Sequence, residues 1–168
     1  MLESFSRGRL TADEVLARLR VLPYEDLGFA KVDHHRTLRK GFPEVVFGKG
    51  KTPEQIAMIA ESLLGHSDRL LVTIADPEAF PAVKERAPDA VYDAVACTIV
   101  VDRRSDCLLV PGVVVVSGGT SDLPVAREAL ITAEIMGCEV EQVFDVGVAG
   151  IHRLFDNLSV IREARVVI

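Results

Sequence analysis

The fold is decided by the stretch Val113-Val-Val-Val-Ser-Gly-Gly-Thr-Ser-Asp122 and by the helix pattern that follows it. Four consecutive valines are typical of a strand that is buried on both faces of a parallel sheet. A glycine-rich loop then leads into an apolar segment at 123–136, which is predicted to be a helix. Pro124 in its first turn and Gly137 after its last turn are residues that favour a helix start and a helix end.

The same kind of pattern continues to the end of the chain. Working outward from the glycine-rich loop, we predict a second strand at 139–146, a turn at 147–151, a helix at 152–157 and a third strand at 165–168. The order β-loop-α-β-loop-α-β is one mononucleotide-binding half of an α/β fold. The fold class is therefore α/β, with half of a three-layer parallel sheet of the flavodoxin or Rossmann type in this part.

The first 110 residues also alternate between strand and helix patterns. Thr11 opens a capping box, which predicts an amphipathic helix with Val15, Leu16 and Leu19 on one apolar face. Thr52 begins another helix that is expected to stop at Gly65. This alternation favours a layered α/β structure here too.

A domain boundary is predicted near Pro111-Gly112, because this dipeptide is strong turn punctuation. The prediction is a small N-terminal α/β domain of unknown role at 1–110, followed by a nucleotide-binding domain at 111–168. The chain ends within the apolar strand at 165–168, whereas chain termini usually lie in exposed polar segments. We therefore expect the second domain to be incomplete at its C-terminus and the chain to be a fragment or a truncated form.

Composition and charge exclude several classes of protein. The chain has 168 residues, 49% apolar residues and a net charge of −6, without a run rich in lysine and arginine. These values argue against a nucleic-acid surface and favour a cytoplasmic enzyme. No apolar run reaches membrane-spanning length, and the N-terminus lacks the apolar region of a signal peptide. The cysteines have no metal-binding spacing and are interpreted as reduced, structural residues: Cys97 in a predicted strand, Cys107, and Cys138 at the end of a helix.

The glycine-rich loop has the chemistry of an anion site. Glycines allow backbone N–H groups to approach a phosphate closely, and the start of a helix adds partial positive charge. A phosphate fits against Gly118, Gly119 and Thr120. Ser121 and Asp122 can hold ribose hydroxyls, or they can simply cap the helix.

A second polar loop is predicted at the carboxyl end of the next strand, where ligands bind in open α/β sheets. It contains Gly150, His152 and Arg153. Arg153 can bind a phosphate or a carboxylate bidentately, and His152 can act as a general acid or base. The alternative is that His152 only packs at the start of a helix.

The two loops together resemble those of PurE-type aminoimidazole ribonucleotide carboxylases and mutases. In that family the first loop reads G-S-x-S-D-x-P, which Gly118, Ser121, Asp122 and Pro124 match, with Gly119 in place of a serine. The second loop resembles the family's S-A-H-R motif, with Gly150 in place of the serine. Asp145-Val-Gly-Val-Ala-Gly-Ile-His-Arg-Leu154 is closer still to the LarB family. So are three stretches of the first half: Asp33-His-His-Arg36, Gly41-Phe-Pro-Glu-Val-Val-Phe-Gly48 and Gly50-Lys-Thr-Pro-Glu-Gln55.

The resemblance implies pyridinium-3,5-biscarboxylic acid mononucleotide synthase activity, a step in the biosynthesis of the nickel-pincer cofactor. Such enzymes carboxylate the pyridinium ring of nicotinic acid adenine dinucleotide and split its pyrophosphate, which releases AMP. CO2 or bicarbonate is then a co-substrate, no cofactor is tightly bound, Mg²⁺ is left open, and a homo-oligomer, an octamer by resemblance, is expected. His152 and Asp122 are the expected catalytic residues. The expected substrate-binding residues are Ser117, Gly118, Gly119, Thr120, Ser121, Asp122, Gly150 and Arg153.

Two other functions stay open at this point. One is aminoimidazole ribonucleotide carboxylase or mutase activity in purine biosynthesis, and the other is a non-catalytic nucleotide-binding subunit. The resemblance also implies a C-terminal cysteine that attacks the pyridinium ring, and none of the three cysteines occupies its place.

The first half has a polar cluster of its own. It consists of Asp33, His34, His35, Arg36, Glu44, Lys49 and Lys51. His35, Arg36 and Lys51 can contact a pyrophosphate or an adenylate, and a metal site at Asp33, His34 and His35 is an alternative. The simplest interpretation of these residues is a solvated turn between elements, because adjacent histidines on a strand point to opposite faces.

Overall fold

The structure is a computed structural model that describes residues 2–20, 24–105 and 108–168. It confirms the α/β class, with helices packed on several sheets. In the part of the chain that is described, no helix is long and apolar enough to span a membrane.

The N-terminal segment begins with two helices, α1 (Leu2–Ser6) and α2 (Ala12–Arg20). The predicted capping box is present, since Glu14 N–H donates to Thr11 Oγ1 and Thr11 N–H donates to Glu14 Oε2. The predicted apolar face is only partly right: Val15 is buried, but Leu16 is 52% exposed. The side chain of Leu19 lies outside the part of the chain that is described. A hairpin of β1 (Tyr24–Asp26) and β2 (Lys31–Asp33) follows, and then α3 (Arg36–Lys40).

A four-stranded mixed sheet forms the centre of the first half, in the order β3-β4-β6-β5. Its strands are β3 (Val46–Phe47), β4 (Arg69–Thr73), β5 (Val91–Asp93) and β6 (Thr98–Asp102). Helices α4 (Pro53–Leu64) and α5 (Ala79–Arg86) cover one face. Their apolar sides and the sheet form the main core, which includes Ile56, Leu63, Leu70, Val83 and Ile99.

The start of α4 is the one that the sequence predicts. Thr52 accepts a hydrogen bond from Gln55 N–H, and the Gln55 side chain accepts one from Thr52 N–H. Pro53 is the first helical residue, and the chain leaves the helix at Gly65.

The second half contains a parallel three-stranded sheet in the order β8-β7-β9. Its elements are β7 (Val110–Val116), α6 (Leu123–Ile135), β8 (Cys138–Val143), α7 (Ile151–Asp156), α8 (Leu158–Glu163) and β9 (Val166–Val167). This confirms the predicted alternation of strands and helices, except that a second helix, α8, follows α7 where only one helix was predicted. Helix α6 lies on one face of the sheet, and α7 and α8 lie on the other, which gives three layers.

Pro111-Gly112 is not the turn that we predicted, because it lies inside β7. The register of β7 against β8 shifts between Val110 and Val113, so one extra residue is accommodated in a bulge. Gly112 has φ 103° there, a left-handed conformation that favours glycine, and a proline without N–H is tolerated at a bulge. The domain boundary between 110 and 111 stays a prediction.

Two cysteines also lie elsewhere than predicted. Cys97 is not in a strand: it lies in the turn between β5 and β6, with φ 50°. Cys138 is the first residue of β8 rather than the end of a helix. Cys107 lies outside the described residues.

Helix α6 joins the two halves, because it packs between their sheets. Its Leu130 packs on Val115 of β7, while Ile135 packs with Leu71 of β4 and with Phe42. The helix runs opposite to β4: Arg69 at the amino end of β4 donates to the carbonyl of Ile135 at the last turn of α6. The beginning of α6 therefore lies on the same edge of the molecule as the carboxyl end of β4.

Candidate functional site

The first loop of the candidate site continues from the end of β7. Ser117 N–H donates to Val143 O at 3.1 Å, and Val146 N–H donates to Ser117 O at 3.1 Å, so the residue is tied to the end of β8. Ser117 is only 5% exposed, and its hydroxyl has no hydrogen-bond partner among the described residues. A buried polar atom without a partner is uncommon, because burying an unpaired hydroxyl is costly. This hydroxyl is therefore available to a ligand.

In the rest of this loop, the carboxylate of Asp122 bonds back to the backbone of Gly119. Asp122 Oδ2 accepts a hydrogen bond from Gly119 N–H at 2.9 Å, and Asp122 N–H donates to Gly119 O at 3.1 Å. Asp122 makes no side-chain cap on α6, so the simple capping role does not apply to it. Thr120, Ser121 and Asp122 form a short 3₁₀ turn and are exposed.

Gly118 and Gly119 have different surroundings. A Cβ at Gly118 would lie 3.1 Å from Asp122 Oδ2, whereas a Cβ at Gly119 would meet nothing within 4 Å. The side of Gly119 on which a Cβ would lie is therefore not in contact with other described parts of the protein. Its N–H is already bonded to Asp122, so a phosphate at this N–H would have to compete with that carboxylate.

The second loop lies directly against the first. Gly147 N–H donates to Gly118 O at 2.8 Å, and a Cβ at Gly147 would come within 2.6 Å of that oxygen. A glycine is thus required at 147 for the loops to approach this closely. The contact between the two loops, which was expected from their positions after neighbouring parallel strands, is present in the structure.

Arg153 is held over its own loop by two features. Its guanidinium forms an ion pair with Asp145, and it lies against Gly150, where a Cβ would be 2.5 Å from Arg153 Nε. Gly150 is buried, and the absence of a side chain there makes room for the guanidinium. Arg153 is thus held against the second loop, with its charge already paired with a carboxylate.

His152 is exposed at the start of α7, and its ring makes no hydrogen bond to any of the described residues. The structure brings together the residues of the 117–122 loop and Gly147 through backbone contacts, but it does not bring His152 and Asp122 into hydrogen-bond contact with each other.

The sequence did not single out Asp145 or Gly147 as site residues, although both belong to the second loop. Asp145 has φ 60°, a left-handed conformation that is uncommon without glycine and is often found at functional sites. The signal in the sequence is a carboxylate followed by a glycine two residues later, directly after a strand. The ion pair that this carboxylate forms with Arg153 could not be read from that signal.

A cavity of about 180 Å³ lies beside the first loop, between the end of β7 and the first turns of α6. Ser117 and Asp122 are its polar lining residues. Its other lining residues are apolar: Val115, Val116, Val125, Ala126, Ala129 and Ile168. A space of this kind can take a small or flat group next to one hydroxyl and one carboxylate.

The polar cluster of the first half does not form one site. Glu44 accepts a hydrogen bond from Asp33 N–H, and the Asp33 carboxylate pairs with Arg39. His34 is buried, with Nε2 3.1 Å from Glu25 Oε2. The hydrogen bond from Ser62 is the main cause that lowers the pKa of Glu25, with burial opposing it and His34 adding to it.

Across the ranges that the structure describes, no group of three His, Cys, Asp or Glu residues is arranged to hold a metal ion. His35 and Arg36 begin α3, whereas Lys49 and Lys51 lie in the loop between β3 and α4, which lines a cavity of its own.

Comparison with known proteins gives two similarities. The family model for the LarB/PurE-like N-terminal domain matches residues 24–104. An uncharacterized protein of Methanocaldococcus jannaschii is 35% identical over 166 residues, which cover 95% of this chain. The chain spans 65% of the length of that relative.

Proposed function

We propose that the chain, whose residues 24–104 match the family model for the LarB/PurE-like N-terminal domain, takes part in a PurE-like carboxylation of a nucleotide. The proposed reaction is carboxylation of the pyridinium ring of nicotinic acid adenine dinucleotide with hydrolysis of its phosphoanhydride. The products are pyridinium-3,5-biscarboxylic acid mononucleotide and AMP. The observation that carries the proposal is the buried, unpartnered hydroxyl of Ser117 at the contact between the two glycine loops.

The two loops supply the groups that such a substrate needs. In this proposal the loop from Gly118 to Ser121 binds a phosphate, and Ser117 donates its hydroxyl hydrogen to it or to a ribose oxygen. Arg153 exchanges its bond to Asp145 for one to a substrate phosphate or carboxylate, which is a charge-assisted contact of the same kind. The substrate anion and Asp145 therefore compete for one guanidinium.

Carboxylation joins CO2 to a ring carbon, and that carbon then loses its hydrogen as a proton. His152 or Asp122 accepts this proton in our proposal. CO2 must meet an electron-rich carbon in a water-poor space, because water competes for it. We place this step at the small cavity beside Ser117 and Asp122, whose other lining residues are apolar. The ring becomes electron-rich when a thiolate adds to it, and the bond to sulfur breaks again after the proton is lost, so that the thiolate leaves and the pyridinium ring is restored. We assign the role of this thiolate to none of the three cysteines.

The proposed setting follows from the same similarity to the LarB/PurE-like N-terminal domain. We propose a cytoplasmic enzyme that forms homo-oligomers and contributes to nickel-pincer cofactor synthesis. Two features support the pyridinium substrate over an aminoimidazole one. Gly150 replaces the serine of the PurE-type motif and makes room for Arg153, and residues 24–104 match the LarB/PurE-like N-terminal domain.

The test is calorimetric titration of the chain with nicotinic acid adenine dinucleotide, with aminoimidazole ribonucleotide as the paired ligand. We expect saturable binding of the dinucleotide, weakened at least about tenfold in Asp122→Ala and in Arg153→Ala, since a lost charge-assisted bond is worth roughly 1.5–3 kcal/mol. Arg162→Ala is the matched control, because Arg162 is exposed on α8. Binding of the imidazole nucleotide alone would indicate a function in purine biosynthesis. Binding of neither ligand would refute the proposed site.

A further inference from the structure

A second cavity, separate from the two glycine loops, lies in the first half of the chain. It has a volume of about 500 Å³ and opens at the carboxyl ends of β3 and β4. Its walls are the loop at 48–51, the segment at 74–77 and Cys97. This volume is within the range of sites for small organic ligands, roughly 300–1,000 Å³.

The walls of this cavity are joined by backbone hydrogen bonds. Gly48 N–H donates to Thr73 O at 2.7 Å, and Ala75 N–H donates to Cys97 O at 2.7 Å. A Cβ at Gly48 would lie 2.9 Å from Ile74 O, so only glycine allows the loop after β3 to lie this close to β4. The cavity is therefore formed by the fold itself and does not require a ligand to assemble it.

Two of its lining residues have unusual backbone conformations. Ile74 has φ 48° and Cys97 has φ 50°, both in the left-handed region and both without the freedom of a glycine. For a β-branched residue such as Ile74 this conformation is a genuine outlier. Strain of this kind is concentrated at binding and active sites.

The charges at the cavity are those that an anion requires. Lys49 and Lys51 flank Gly50, and the Lys51 ammonium is held in place by the carbonyl of Phe47 at 2.7 Å. Lys49 is exposed, and its ammonium makes no bond to the residues that the structure describes. Asp76 also lines the cavity, but its carboxylate accepts the N–H of Glu78 at the start of α5.

The remaining lining is largely apolar and includes Ile74, Ala75 and Pro77. A cavity with two lysine residues on one side and a largely apolar wall on the other matches a ligand with the same division. A phosphate ester with a flat organic part has it, whereas inorganic phosphate would leave most of the volume empty.

We propose that this cavity is a second nucleotide site, in which Lys49 and Lys51 bind the phosphate and the wall at 74–77 contacts the base or the sugar. The site lies in the part of the chain for which the sequence predicted no definite role.

The position of this cavity relates it to the first site. Arg127 of α6 donates to Asp93 at 2.9 Å, and Asp93 pairs with Thr98, the residue after Cys97. Arg127 lies about one turn beyond Asp122, and the carboxyl end of β4 lies on the same edge. The two sites thus share one edge of the molecule, and a dinucleotide has two phosphates to place there. The idea that one dinucleotide occupies both sites rests on the proposed function. The proposal of a second nucleotide site does not.

The test uses Cys97 as a reporter in the unmodified full chain. Iodoacetamide alkylates exposed thiols, and mass spectrometry of the peptides gives a rate for each cysteine. AMP is the probe, adenosine is the comparator without phosphate, and Cys138, which lines a different cavity, is the internal reference. At about ten times the Kd of AMP, we expect the rate at Cys97 to fall about tenfold by mass action. Adenosine should protect far less, and the rate at Cys138 should stay constant.

Variants separate this site from the first one. Lys49→Gln/Lys51→Gln should abolish the protection by AMP, while Lys40→Gln, an exposed lysine of α3, and Asp122→Ala should keep it. The inference is overturned if AMP does not protect Cys97, or if the double variant is protected as well as the wild type. Loss of protection in Asp122→Ala together with its retention in the double variant would also overturn it. That pattern would leave the first site, and so the proposed function, intact.

Discussion

Gly147→Ala is expected to separate the two glycine loops. A Cβ at this position would lie 2.6 Å from Gly118 O, and real Cβ contacts are essentially never shorter than 3.0 Å, so the loops must move apart by about 0.4 Å. The backbone itself would accept alanine, because φ is −61° and ψ is 165° at Gly147. The cost is therefore steric, and overpacking of this kind destabilises by about 1–3 kcal/mol. For a chain of this size the melting temperature should fall by roughly 2–12 °C.

Gly119→Ala is the matched control, since a Cβ there meets nothing within 4 Å and φ is −157°. Its stability should stay within about 0.5 kcal/mol of the wild type. Differential scanning calorimetry of the three proteins measures both effects. We also expect Gly147→Ala to weaken the binding of nicotinic acid adenine dinucleotide about tenfold, because a displaced loop loses about one hydrogen bond to the ligand. If Gly147→Ala has the same melting temperature as Gly119→Ala and the wild type, the close approach of the loops does not stabilise this site.

Two further predictions concern electrostatics and helix capping. The hydrogen bonds from Arg103 lower the pKa of Asp89 to about 2, below its ordinary 3.8, so their stabilisation is complete above pH 3.8 and is lost as the pH falls toward 2. Because both groups are exposed, this ion pair contributes less than about 1 kcal/mol to the free energy of unfolding. An NMR titration of Arg103→Gln should show the pKa of Asp89 returning toward 3.8, and an unchanged pKa would contradict the assignment. Thr52→Ala should cost about 1 kcal/mol in urea denaturation, since it removes the acceptor for Gln55 N–H, whereas Ser159→Ala on the exposed side of α8 should cost almost nothing. Equal stability of the two variants would show that the cap does not contribute.

Features that depend on a few neighbouring residues were predicted correctly. The start of α4 at Thr52 and Pro53 was predicted because caps act over only three or four residues. The order of strands and helices after Val110 was predicted because buried parallel strands and apolar helices have different lengths and periods. The approach of the two glycine loops also followed, since neighbouring parallel strands end at the same edge of a sheet.

Features that depend on distant partners were predicted poorly. Leu16 has the period of a buried helical residue, but it is exposed in the folded chain. Pro111-Gly112 is typical of a turn, yet it continues β7 because pairing with β8 absorbs the extra residue in a bulge. Periodicity and turn propensity describe the chain locally, and burial and strand pairing are decided by segments that lie far away in the sequence.

The sequence by itself determined the α/β class, the helix caps and the two glycine loops, because these depend on residue type and short-range spacing. Only the tertiary structure decided that Arg153 is paired with Asp145 across Gly150. It alone decided that α6 lies between the two sheets, and that Lys49, Lys51 and Cys97 line one cavity. The physical reason is that these contacts join residues from separate strands and loops, and their distances exist only once the sheets are packed.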